Sequence, residues 1–237
     1  KILNHYSFWK NNDEVWNGIK IYRSKLFPRF SGKGFHLFFN YISFAIFSSI
    51  KVLLSIDQKP DLIFVYEPSP ITVGIPAIVA KKKFGKIPIF FWVQDLWPDS
   101  LKDTGAFNNK YILKVVDNFT RYIYNRSEVI LVQSKGFKNY IVKQGISINK
   151  IKYFPNPTEN FYNIVDIGSR YSNSFPNGFN LIFAGNIGEA QSFDTLIDAA
   201  YKLKELNYPI YWNILGEGRA KNYFEKKVVK LNLTDNF

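Results

Sequence analysis

The feature that most constrains this chain is an alternation in which short continuous apolar runs are each followed by a stretch of helical periodicity. Leu62 to Tyr66 (LIFVY), Ile87 to Val93 (IPIFFWV) and Glu128 to Val132 (EVILV) are runs of aliphatic and aromatic residues without polar alternation. A strand reads this way when both of its faces are covered, as in a parallel sheet. Between these runs, Thr72 to Lys82 reads as helix, and so does Lys110 to Tyr124, where Ile112, Val116, Phe119 and Ile123 share one face. Phe137 to Gln144 is a further helix, stopped by Gly145 in the C′ position, and Ile151 to Phe154 is a fourth short strand. Strand, helix, strand in this order predicts an α/β fold, a parallel sheet wrapped on both faces by helices.

The rhythm breaks from Asn156 to Gly178, where Asn, Pro, Ser and Gly dominate and no period survives. It restarts with a strand at Asn180 to Ala184, a helix at Phe193 to Leu206 and a strand at Tyr211 to Leu215. The predicted organisation is therefore a first domain over 1–160, a linker over 161–178 and the beginning of a second domain over 179–237. Two strands and two helices cannot cover both faces of a parallel sheet. The chain also has no methionine, even at position 1. The sequence is expected to be a piece of a longer protein, truncated at both ends.

With no cysteine there is no disulfide framework and no thiolate metal site, which suits a reducing cytosol. Two histidines and no clustered carboxylates make a protein-built metal site unexpected. The net charge of +12 suits anionic partners, or is solubility charge alone. No like-charge run exceeds Lys81 to Lys83 and no nucleic-acid motif appears, so no nucleic-acid partner is expected. The amino terminus does not read as a secretory signal. Trp16 to Arg23, with its Asn-Gly turn signal, reads as an exposed strand. Leu37 to Ile56 has nearly the length of a membrane span, but Lys51, Asn40 and several serines interrupt it. A buried or membrane-surface helix is the expectation, with Arg29 and Lys33 just before it available to anionic head groups.

Ligands of open α/β sheets bind beyond the carboxyl ends of the strands, and three such segments are unusual. Gln94 to Ser100 (QDLWPDS) follows the second strand; Asp95 is the candidate acid–base group, with Trp92 and Trp97 as an aromatic platform for a sugar. The alternative is that Asp99 and Ser100 cap the next helix and Trp97 fills the core. Ala184 to Ser192 (AGNIGEAQS) places Gly185, Asn186, Gly188 and Gln191 between a strand and a helix, where backbone amides favour a phosphate. Glycine turns of this kind also occur without ligands, and no G-x-G-x-x-G is present. Leu215 to Arg219 (LGEGR) offers Arg219 to an anionic group, Glu217 to a sugar or ribose hydroxyl, and Gly218 for close approach. A tight turn with a solvated charge pair would read the same. His5 and His36 lie far from these segments and receive no role.

These segments, in this order, resemble glycosyltransferase family 4, the retaining GT-B enzymes. The likeness is strongest to the branch that builds O-antigen and capsule, including L-fucosamine transferases. It is carried by WVQDLWPDSL at 92–101, KYFPNPTE at 152–159, FAGNIGEAQSFDTLIDAA at 183–200 and LGEGR at 215–219. The resemblance implies two Rossmann-like domains facing across a cleft, with the nucleoside-diphosphate sugar, a UDP-sugar first among them, held mainly by the second. It implies transfer with retention, no metal or other cofactor, and a polyprenyl-diphosphate-linked acceptor. The location implied is cytoplasmic, peripheral on the inner face of the plasma membrane. Two departures stand out: Asn186 and Gln191 occupy places where relatives carry Arg and Lys, and Gln94 stands where a histidine often precedes the aspartate. The family's amino-terminal glycine loop and paired-glutamate motif are missing from the sequence, so the piece alone is expected to be inactive. Two other readings are a GT-B-shaped sugar-nucleotide epimerase and a non-catalytic basic protein that binds membranes or nucleic acid by charge. Steep loss of binding with salt and indifference to uridine sugars would mark the last of these. Reversing the charges of Arg29 and Lys33 should weaken association of the protein with anionic vesicles in a flotation assay; unchanged association would dismiss the docking role.

Overall fold

A computed structural model describes residues 13–28, 34–103, 109–164, 175–188 and 191–237. Arg29 and Lys33, and most of the expected linker (165–174), lie outside these residues. The chain divides into two compact units, Lys1–Pro157 and Thr158–Phe237.

In the first unit, Asn17 and Gly18 both take positive φ (48° and 81°), the backbone of a tight hairpin turn. The turn splits the single strand expected over 16–23 into β1 (Glu14–Trp16) and β2 (Ile19–Ile21), paired antiparallel. Helix α1 (Gly34–Ser55) follows; Asn40 Nδ2 donates to the Phe27 carbonyl and Lys51 Nζ to Asp13 Oδ2, each at 2.5 Å. The polar residues that interrupt its apolar run thus find partners in the protein. Its last carbonyls are covered by Lys83, whose Nζ donates to Val52, Leu53 and Ile56, a cation where the helix dipole favours one. Phe35, Phe38, Phe39, Ile46, Ile50, Leu53 and Leu54 remain exposed along α1.

The four apolar runs form β3 (Ile63–Glu67), β4 (Ile89–Val93), β5 (Val129–Val132) and β6 (Ile151–Tyr153). They pair in sequence order and parallel, so their carboxyl ends share one edge. Helices α2 (Gly74–Phe84), α4 (Lys110–Arg126) and α5 (Lys135–Lys143) connect them, with a one-turn α3 (Asp99–Asp103) after β4. Asn109 caps α4 by accepting from the amides of Tyr111 and Ile112, and Ser134 caps α5. Gly145 follows α5 with φ 87°, as its expected position required.

The helices gather on one face of this sheet. Val65, Ile89, Phe91, Val93, Ile130 and Val132 share a core with Ala77 and Ile78 of α2, Ile123 and Tyr124 of α4 and Ile141 of α5. At roughly 1.5–3 kcal/mol for each fully buried large side chain, this face is the main source of the unit's stability. The residues that alternate with them, Phe64, Tyr66 and Trp92, point to the other face, where Phe64 and Tyr66 are about half exposed. Their rings pack with one another and with Phe154 at centroid distances of 5.1–5.9 Å. The expectation of helices on both faces is therefore corrected: among the described residues they cover one. Continuous apolar runs misled because the second face is lined with aromatics that shield each other.

In the second unit, β7 (Phe179–Ala184) and β8 (Ile210–Leu215) pair parallel, with α6 (Phe193–Glu205) between them and α7 (Lys221–Lys230) after. Ile187, Phe193, Ile197, Ala200, Phe224 and Leu233 form its core, with Phe183, Trp212 and Ile214 packed beneath. On β7, Phe179 and Ile182 are exposed.

Candidate functional site

The parallel ladders bring the sequence-predicted residues to strand ends in two groups, one in each unit. In the first unit the turn after β4 starts from the Gln94 amide, which donates to the Glu67 carbonyl at 3.1 Å. Gln133 Nε2 donates to the Gln94 carbonyl at 2.8 Å, Asn156 Nδ2 donates to Gln133 Oε1 at 2.8 Å, and Trp92 Nε1 donates to the Phe154 carbonyl at 3.0 Å. The segment at 152–159 thus ties the ends of β4, β5 and β6 together. Asp95, half-buried, accepts at 2.5 Å from the Ser100 hydroxyl, which fixes one of its oxygens. Trp97 is 4% exposed and belongs to the core, edge-on to Tyr41. It is not a surface for a sugar, which corrects the platform reading; Trp92 is occupied by its aromatic neighbours.

The sequence reading missed Glu67. It ends β3 in register with Val93 and is fully buried. Burial, then the charge of Asp95, pushes its carboxyl up to about 9; the amides of Asp95 and Gln94 and the Trp97 indole oppose the rise only in part. Neither of its oxygens reaches full hydrogen-bond geometry with a donor, and Gln94 Nε2, Trp97 Nε1 and Tyr124 Oη are likewise buried without a partner. Burial and the nearby Glu67 also push Tyr124 well above the usual tyrosine range. The available signal was parity: Glu67 shares the phase of Val65 within LIFVYE, and so faces the core.

In the second unit the loops after β7 and β8 are joined by backbone bonds. Gly185 N donates to the Leu215 carbonyl (2.9 Å), Ile187 N to Glu217 (2.9 Å) and Ala220 N to Ile187 (3.2 Å). Glycine is required for this approach. A Cβ on Gly216 would stand 1.8 Å from the Gly185 oxygen, and one on Gly218 1.9 Å from the Ile187 oxygen. Gly185, Asn186, Gly188, Gln191, Glu217, Gly218 and Arg219 are therefore collected at one edge. Glu189 and Ala190 lie outside the described residues.

The charges and amides are disposed differently from the expectation. Gly188 N donates to the side-chain oxygen of Gln191 at 3.2 Å, so this amide is capped from within. Glu217 pairs with Lys221 at 2.6 Å, and Arg219 is exposed. Asp194, in the first turn of α6, and Asp198 both pair with Lys227, at 2.6 and 2.9 Å, and hold its ammonium above the usual lysine range. A cavity of about 350 Å³ lies against these loops, lined by Ile187, Phe193, Trp212, Phe224 and Val228, with Gly216, Lys221 and Glu225 also on its walls. Among the described residues no cluster of His, Asp or Glu could hold a metal ion. Asp95 belongs to the first unit and these residues to the second.

No family model matches the chain. It is 27% identical over 186 residues to an uncharacterized glycosyltransferase of Methanocaldococcus jannaschii, covering 75% of this chain and 44% of that protein. It is 24% identical over 232 residues to the putative colanic acid biosynthesis glycosyl transferase WcaI of Escherichia coli, covering 94% and 56%. The chain thus spans about half the length of the curated relatives it matches. Among solved structures, HepE of Anabaena in complex with UDP superposes with a TM-score of 0.60 at 13% identity, over 83% of this chain and 51% of that one. The fold is α/β and GT-B-like.

Glu67 provides a measurement of the first group. Its carboxyl titrates near 9 in the folded chain, against about 4.5 when exposed, so the native state keeps a proton that the unfolded chain releases. The associated stability is present in full below pH ~4.5 and is lost as pH rises toward 9, by at most about 1.4 kcal/mol per pH unit. Glu67→Gln removes this dependence. The Tm of the variant should therefore rise relative to the parent as pH goes from 5 to 9 in thermal melts, and parallel curves would contradict the burial of a protonated acid.

Proposed function

We propose that the intact protein is a retaining glycosyltransferase of family 4, GT-B in form, in the branch that assembles O-antigen and capsule. It would move a sugar, an N-acetylated amino sugar by resemblance to the L-fucosamine transferases, from a nucleoside diphosphate to a lipid-linked glycan. The observation that carries this reading is the pair of glycine loops at the ends of β7 and β8, closed on each other by backbone bonds. Such a glycine-lined edge, with Arg219 exposed beside it, suits a diphosphate. Sequence similarity to two glycosyltransferases and fold similarity to a structure solved with UDP support the choice of a UDP-sugar.

In this reading Arg219 and the loop amides stabilise charge on the departing diphosphate without a metal, the largest catalytic contribution available to such a site. Gln191 gives up its bond to the Gly188 amide when the phosphate enters. Gly188 leaves room for it, since a Cβ there would lie 2.8 Å from Asn186 Nδ2 and 3.0 Å from Gln191 Oε1. Glu217 accepts from a sugar or ribose hydroxyl, exchanging its bond to Lys221. Asp95 serves the acceptor as acid–base group, oriented by the Ser100 hydroxyl. The exposed apolar stripe of α1, with Arg29 and Lys33 before it, would rest at the inner face of an anionic membrane where a polyprenyl-diphosphate acceptor is held.

Calorimetry on the complete polypeptide should show saturable binding of UDP-sugars, and Gly188→Val should weaken it by about tenfold or more, the loss of one good contact. No heat with any uridine- or guanosine-linked sugar would end the enzyme reading. Asp95→Asn should lower turnover about 10²- to 10⁴-fold, the range for a lost acid–base group, with circular dichroism unchanged. Near-normal turnover would remove Asp95 from catalysis.

A further inference from the structure

Apart from Gln144 Oε1, the unmatched buried polar atoms of the first unit belong to Glu67 and three residues near it. Glu67 comes from the end of β3; Gln94 Nε2 and Trp97 Nε1 come from the turn after β4, and Tyr124 Oη from α4. Other ionisable groups near this cluster are Asp95, on the same turn, and Tyr140 of α5, both of which bear on Tyr124. Tyr140 is in turn bonded to Asp99, with Asp117 of α4 nearby. β3, the turn after β4 and α4 thus come together at a buried carboxyl, and the turn among them is the one that carries Asp95. A carboxylate placed there would be desolvated and would face a second negative charge on Asp95. A neutral carboxylic acid suits the site, since it offers one O–H donor together with acceptor lone pairs. The donors beside it are the Trp97 indole and the backbone amides of Asp95 and Gln94, all on the turn that carries Asp95.

Resting on the transferase reading, we propose that Glu67 is a positioning residue for Asp95: packed as the neutral acid beneath the Gln94–Trp97 turn, it holds the acid–base group in place. Glu67 touches neither substrate. Loss of its proton puts a second charge beneath Asp95, which loosens the turn. Activity then falls through kcat, while binding of the donor, the task of the second unit, is untouched.

The test uses the full-length protein with Glu67→Gln and Glu67→Ala and two readouts. The first is independent of turnover: the indole N–H resonance of Trp97, followed by NMR against pH. In the parent it should shift as pH passes about 9, where the carboxyl loses its proton, and in Glu67→Gln it should stay near its low-pH position. The second is the pH profile of kcat with the donor KM. The parent should lose kcat over the same alkaline range, and the isosteric amide should rescue that loss. Glu67→Ala should lower kcat by about tenfold to a hundredfold at every pH, the cost of a misplaced catalytic group, with donor KM unchanged. An alkaline limb in Glu67→Gln like that of the parent, or parental kcat in Glu67→Ala, would overturn the proposal. If the parent turns over no nucleotide sugar, the transferase reading fails separately, and a Trp97 resonance that titrates alike in parent and Glu67→Gln would still refute the positioning role.

Discussion

The structure depends on the geometry of the parallel ladder. Because β3 to β6 run the same way and pair in order, every strand delivers its next residues to one edge. Glu67, Gln94, Gln133 and Phe154 come from four separate stretches of chain, yet they are linked through hydrogen bonds at that edge. The same rule in the second unit sets Gly185 against Leu215 and Ile187 against Glu217. Neither group of candidate residues would exist without this alignment, since no short segment contains more than a fraction of either.

What the two edges do with that alignment differs. The edge of the first unit is stiffened by side chains: Trp97 is buried, Ser100 holds Asp95, and Gln144 Nε2 donates to both the Trp97 carbonyl and Asp117. Fixing a turn in this way reduces the freedom of the group it carries, which is what an acid–base residue requires. The edge of the second unit is built from backbone, with glycines where any Cβ would collide. Backbone amides are suited to a charged, symmetric group such as phosphate, and their contact does not depend on side-chain rotamers. The division of chemistry proposed for the two units rests on these two constructions.

A buried acid at the end of β3 runs against the rule that strands end in turn-forming or solvated residues. A lone ionised carboxyl there would be costly, and the chain avoids that cost by holding it neutral. Local sequence and tertiary environment conflict at this point, and conflicts of that kind concentrate at functional places. The uncovered aromatic face of the same sheet is a second such conflict, since Phe64 and Tyr66 are partly in water while Trp92 donates its indole proton to Phe154.

By itself the sequence determined the order of strands and helices from Leu62 to Val132 and from Asn180 to Leu215, because continuous apolar runs and 3.6-residue periods are local properties. It also determined the Gly145 stop and the glycine turns at 185–188 and 216–218: Gly145 and Gly216 hold positive φ, and a Cβ on Gly216 or Gly218 would meet backbone. Only the tertiary structure decided that Trp97 is core and that Glu67 is buried beside Asp95. It alone decided that the Gly188 amide is capped by Gln191 and that Lys227 neutralises Asp194 and Asp198. Each of these depends on residues distant along the chain meeting at a strand end, and a side chain's solvation and partners are set by such neighbours, which no window of sequence contains. Helices on one face only were illegible for the same reason: a run such as IFFWV reads alike whether a helix or neighbouring aromatic rings shield its second face.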